Sequence, residues 1–111
     1  MVTNKQFVAP QYLTNAAATY YTAPANTTAI VKQAGVYNSD TGALTFTLHV
    51  IASGGSASAA NMIVGARPIG AGETQMIPEL LNVTLPAGSF IQALASSASK
   101  VSLSISGAEI V

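Results

Sequence analysis

Two stretches, Leu44-Thr45-Phe46-Thr47-Leu48-His49-Val50 and Val101-Ser102-Leu103-Ser104-Ile105-Ser106, decide the fold. In each, apolar and polar residues alternate strictly. A period of two puts successive side chains on opposite faces of a strand, one toward a core and the other toward solvent or a partner. Threonine suits the outer face of the first stretch, because β-branched side chains pack well on a pleated surface. Both stretches read as half-buried strands.

Turn signals cut the rest of the chain into pieces of strand length. Asn38-Ser39-Asp40-Thr41-Gly42 separates Thr28–Tyr37 from the first stretch and reads as a hairpin loop. Asn, Asp and Gly there supply local hydrogen bonds and positive φ. Ser53–Ala60 holds Gly54-Gly55 among small residues and reads as a mobile loop. Gly70-Ala71-Gly72 and Pro86-Ala87-Gly88 mark two further connections. The strands expected are Ala18–Thr22, Thr28–Tyr37, Ala43–Ile51, Met62–Arg67, Thr74–Ile77, Leu80–Leu85, Phe90–Ala95, Lys100–Ser106 and Ala108–Val111. Eight or nine short strands with almost no helix point to an all-β domain. The architecture expected is a single two-sheet antiparallel sandwich, jelly-roll-like or, alternatively, immunoglobulin-like. Residues 1–16 lack clean alternation and read as an N-terminal arm, with residues 17–111 forming the sandwich. Phe7, Val8, Tyr12 and Leu13 are spaced anchors along that arm. They would pack back on the sandwich or reach to a neighbour.

The composition narrows the function. The 111 residues contain no cysteine, so disulfides and thiolate chemistry are excluded. Four basic and four acidic residues cancel, which leaves no positive field for nucleic acid and no polybasic patch for anionic lipid. Charged residues make up 7% of the chain, against roughly 25% in an average soluble domain. A surface so poor in ions is easily covered by neighbours, because little charge must be desolvated. Mean hydropathy is +0.44, yet no stretch approaches the ~20 apolar residues that span a bilayer. Met1–Pro10 has no apolar run of signal-peptide length, so no secretory signal is expected.

Chemistry is sparse. His49, the single histidine, stands on the threonine face of its strand with no nucleophile or carboxylate at readable spacing, and reads as an exposed or interface residue. Asp40, Glu73, Glu79 and Glu109 are scattered, without the clustering that metal or glycoside chemistry needs. No catalytic residue, metal site or cofactor is expected. The aromatic side chains are the best contact candidates, because tyrosine offers a large area at low entropic cost. Phe7, Tyr12 and Tyr20 or Tyr21 are therefore the expected partner contacts; Tyr20 and Tyr21, being adjacent on a strand, face opposite ways, so one of the two is expected in the core.

Two longer stretches carry a resemblance. They are Tyr20-Tyr21-Thr22-Ala23-Pro24-Ala25-Asn26-Thr27-Thr28-Ala29-Ile30-Val31 and Leu85-Pro86-Ala87-Gly88-Ser89-Phe90-Ile91-Gln92-Ala93-Leu94-Ala95, the latter followed by Val101 to Ile110. From about Tyr20 onward the chain resembles the capsid decoration, or staple, proteins of epsilon-fifteen-like short-tailed phages. The resemblance implies a jelly-roll-like domain on the outer surface of an icosahedral capsid, made in the host cytoplasm. It further implies a homodimer that clamps neighbouring subunits of the major coat protein. A tail, neck or fibre adaptor, or a host-surface binding module, is the alternative role.

Overall fold

A computed structural model describes all residues, Met1–Val111. Nine strands form two antiparallel sheets. They are β1 (Val2–Tyr12), β2 (Ala18–Thr22), β3 (Thr28–Asn38), β4 (Leu44–Ile51), β5 (Met62–Ile69), β6 (Thr74–Met76), β7 (Thr84–Leu85), β8 (Phe90–Ala95) and β9 (Val101–Ile110). One sheet runs β1-β9-β3-β6, with β7 also beside β3; the other runs β2-β8-β4-β5. First pairs with last and second with next-to-last: β1 with β9, β2 with β8, β3 with β6 and β7, β4 with β5. The chain is thus one long hairpin rolled into a sandwich. That is a jelly-roll-like arrangement and not the immunoglobulin-like one.

The core lies between the sheets. Phe46, Leu48, Ile91 and Ala93 from one meet Ala34, Val36, Leu103 and Ile105 from the other, all 2% exposed or less. The alternation in β4 and β9 creates these faces, as the sequence requires.

Four local expectations are corrected. First, Asn38–Gly42 is a crossing between sheets, because β3 and β4 lie in different ones. Its hub is Asn38, which is fully buried. The Asn38 side-chain amide donates to the carbonyls of Gly42 (2.9 Å) and Ile69 (3.1 Å), and its Oδ1 accepts from the Asp40 amide (2.9 Å). The turn residues were legible, but a turn does not declare which sheet receives the next strand. Second, Leu80–Leu85 is not a strand throughout. Pro78–Leu80 is a 3-10 turn, Asn82 takes φ 62°, and only Thr84–Leu85 joins the ladder. Proline at the start fixes φ for a turn, and asparagine tolerates the left-handed region. Third, Lys100–Ser106 and Ala108–Val111 are one strand, continuous through Gly107. Fourth, residues 2–12 are a full strand laid along β9, so the arm packs back on its own sandwich. Its alternation is hidden by a bulge between Gln6 and Val8, which turns Phe7 and Val8 inward together.

Gly107 explains that bulge. A Cβ there would fall inside the Ile30 carbonyl oxygen and 2.7 Å from Phe7 Cε2. The register of β3 on β9 slips at the same level, between Val31 and Gln33. Both neighbours of β9 therefore buckle into the space that a missing side chain leaves.

Candidate assembly surface

The four candidate contact residues separate into two groups. Phe7 and Tyr21 are interior, each 7% exposed, with rings stacked at 4.2 Å across the two sheets. Phe7 is corrected from contact to core, because the β1 bulge turns it inward; Tyr21 is the inward, core member of its adjacent pair. Tyr20 is half-buried beside the residue 13–17 connection, its hydroxyl accepting from the Thr14 amide at 3.2 Å. Tyr12 is 53% exposed and stands on the outer face.

The Tyr21 hydroxyl donates to Glu109 Oε2 at 2.6 Å, and Lys5 Nζ lies 3.4 Å from the same oxygen. The Tyr21 bond above all, then Lys5, holds the Glu109 carboxyl below the usual carboxylate range, against the opposing effect of desolvation. Burial first, and then Glu109, pushes the Tyr21 phenol up. A depressed folded-state value stabilises the fold above the ordinary glutamate pKa of about 4.3, and that stabilisation is lost as pH falls through the folded value. The Glu109→Gln variant is therefore expected to melt about 4 °C lower at pH 7, equivalent to ~1 kcal/mol. Its melting temperature should also fall less than that of the parent protein between pH 5 and pH 3. Thermal melts followed by circular dichroism at the three pH values check this.

His49 is also corrected. It is 4% exposed, covered by the Ser53–Asn61 segment, and its Nδ1 lies 2.9 Å from Asn61 Oδ1. The Asn61 amide orientation is set by two other bonds, donation to the Ser56 carbonyl (2.8 Å) and acceptance from the Ser58 amide (3.0 Å). Oδ1 thus faces the imidazole, and Nδ1 must carry the proton. The segment expected to be a free loop is pinned at its far end by this contact. Alternation alone could not show that a second layer covers the threonine face.

No group of three or more His, Cys, Asp or Glu gathers anywhere, and no helix is long and apolar enough to cross a membrane. Of the eight charged side chains, Lys5 pairs with Glu109 and Arg67 with Glu79. Glu73 accepts from the Gly70 amide and the Gln75 side chain of its own turn, which hold its carboxyl low.

Two surfaces remain for contact. The first is the outer edge of β1, an 11-residue strand paired on one side only. Lys5 is its one charge, and Pro10 falls in a second register shift, between Val8 and Gln11. Such an edge presents unpaired backbone groups to an incoming strand, and a proline or lysine on it limits indiscriminate pairing.

The second is the outer face of the β1-β9-β3-β6 sheet, a shallow trough of about 390 Å³ whose lining carries no charged residue. Register places its residues in rows. Ser102, Tyr37 and Thr74 stand abreast at one end, and Tyr12, which lines a smaller hollow beside the trough, faces Ser102 from β1. Ser104, Gly35 and Met76 form the middle, and Gln6, Ser106 and Gln33 the other end. The floor is low because β9 offers only serines and β3 offers a glycine at the centre. Sequence reading missed this face: Ser102, Ser104 and Ser106 looked like the solvent side of one strand, and their neighbours lie far away in the chain.

No protein-family model matches the chain, and no curated protein does. Among solved structures, the chain is similar to infectious bursal disease virus Gx strain, at TM-score 0.55 and 16% identity, over 98% of this chain and 31% of the other. The VP2 subviral particle of infectious bursal disease virus gives TM-score 0.51 and 15% identity over 98% and 31%. A subunit of Bacillus endospore appendages, a family of disulfide-linked pili, gives TM-score 0.50 and 14% identity over 99% and 88%. The chain thus spans about a third of the viral chains it resembles and most of the pilus subunit. At these identities the likeness concerns the fold, and the fold is a β-sandwich shared with chains of viral particles and of a pilus.

Proposed function

We propose that this chain is a non-enzymatic structural subunit of a virion, which decorates the outside of an icosahedral phage capsid and clamps neighbouring coat subunits. The observation that carries the reading is the open edge of β1. It offers 11 residues of backbone to a coat strand, on a domain with few ions to desolvate. The jelly-roll-like fold and its likeness to viral particle chains support the same reading, as does the resemblance of residues 20–110 to phage decoration proteins. Clamping needs no chemistry: a protein that binds only assembled shells stabilises them by mass action. A shell two-fold would favour a self-complementary pair of copies.

A second reading, a subunit repeated along an axial structure such as a tail or fibre, is favoured by the likeness to a pilus subunit over 88% of its length. Pilus assembly through disulfides has no counterpart here, since the chain has no cysteine.

Mixing the purified protein with coat shells that lack it, pelleting them and counting bound copies separates the two. The clamp reading expects saturation at a fixed ratio to coat subunits and shells that survive greater heat. Absent binding, or a few copies per particle, rejects it in favour of the axial role.

A further inference from the structure

We propose that the trough on the outer face of the β1-β9-β3-β6 sheet is a binding site for a neutral oligosaccharide. This goes beyond the clamp reading and does not depend on it, since the clamp uses the β1 edge.

The chemistry of the lining selects the ligand class. Gln6, Gln33, Thr74 and the three serines of β9 carry amides and hydroxyls that can both donate and accept. None of these side chains, nor the hydroxyls of Tyr12 and Tyr37, enters any side-chain hydrogen bond of the molecule. Every buried side-chain nitrogen or oxygen of the molecule has a partner, so the polar atoms of the trough that lack one are those open to solvent. The trough therefore concentrates unspent neutral hydrogen-bonding capacity on one concave face. An ionic ligand would lose hydration there without a counter-charge, whereas a ligand dense in hydroxyls finds matching groups.

Tyr12 and Tyr37 add the apolar half of the recognition. They stand on either side of Ser102, one on β1 and one on β3, so strand spacing sets their backbones about 10 Å apart. Both line a smaller hollow at that end, and they are 53% and 42% exposed. An exposed tyrosine presents a flat apolar face with a polar tip, which suits the C–H face of a pyranose ring and its hydroxyl rim. The Tyr row and the Gln row are four residues apart on β9, roughly 13 Å along the strand. The trough is thus long enough for more than one sugar ring, and its volume of about 390 Å³ lies within the range of ligand pockets.

Gly35 provides the decisive variant. It forms the floor of the middle row, and a Cβ there meets only the Gln75 carbonyl oxygen at 3.5 Å and Met76 Sδ at 3.8 Å. A Cβ there thus makes only ordinary contacts, and Gly35→Val adds two further methyls that project into the trough. The experiment titrates the 15N-labelled protein with neutral trisaccharides of glucose, mannose, galactose and N-acetylglucosamine up to about 10 mM, followed by amide shifts. The expected result is saturable shifts confined to residues 33–37, 74–76 and 102–106 with at least one sugar. Gly35→Val and Tyr37→Ala should each weaken binding about tenfold or more, and Tyr20→Ala, on the other sheet, should leave it unchanged. Absence of saturable shifts with every sugar overturns the proposal, as do shifts elsewhere on the protein. Loss of coat-shell binding in Gly35→Val, with no sugar bound by the parent protein, overturns it in favour of a protein occupant.

Discussion

Replacing Gly107 by alanine is expected to lower the melting temperature by roughly 10–20 °C, a loss of about 3 kcal/mol or more. The site is buried at the centre of the five-stranded sheet, where β9 runs between β1 and β3. The added methyl meets the Ile30 carbonyl oxygen on one side and the Phe7 ring, at 2.7 and 2.9 Å, on the other. The carbonyl belongs to a paired strand and cannot rotate away. The ring is held in turn by its stack on Tyr21. Relief therefore requires β3 or β1 to separate from β9. The added methyl brings little burial in return, so overpacking dominates. Thermal melts of Gly107→Ala beside Gly35→Ala provide the contrast, since the second glycine has room for its Cβ and should shift little. Equal, small shifts would show that the bulges of β1 and β3 adapt freely.

Deleting Met1–Pro10 is expected to abolish cooperative folding. The segment supplies Phe7 and Val8 to the core, at 7% and 1% exposure. Losing those two side chains removes about 5–8 kcal/mol of burial, similar to the whole stability of a typical domain at 5–15 kcal/mol. It also converts β9 into an edge and releases Tyr21 from its stacking partner. Near-UV circular dichroism and a thermal melt decide the matter. A truncated chain with a cooperative melt would mean that the remaining eight strands suffice and that residues 1–10 are an accessory. In that case shell binding by the truncated chain would report directly on the β1 edge.

What was legible in the sequence follows from the range of each interaction. Strand periodicity is local, so β4, β8 and β9 could be read from Phe46-Thr47-Leu48, Phe90–Ala95 and Val101–Ser106. Turn chemistry is local too, and Asn38–Gly42 is indeed a turn. What failed was non-local. The slip of β1 opposite Gly107 hid the strand character of residues 2–12, because the inward pair Phe7-Val8 breaks a period of two. The cover over His49 comes from Asn61, on another segment. The trough assembles three serines from β9 with glutamines, a tyrosine and a glycine from β1 and β3, and no window on the chain contains them together. Absence of charge was visible from composition, but its concentration on one face was not. Of the four candidate contact residues read from the sequence, Tyr12 alone is an exposed outer-face side chain, since aromatic character alone does not tell core from surface.

The place of β9 bears on how the protein is made. It is the last of the nine strands to leave the ribosome, yet it lies between β1 and β3, which are made early. Until its residues emerge, the two early strands share no partner, and the sheet that they form with it cannot close. Synthesis therefore leaves β1 unpaired, and the β9 side of β3 open, until Val101–Ile110 has been made, with ladders that join positions as far apart as Met1 and Val111. Long-range pairing of this kind is slow and leaves strand edges free to meet other nascent copies. The few ions that make the finished domain easy to cover also leave the unfinished one poorly defended, so yield in the cell should depend on how quickly β9 is captured.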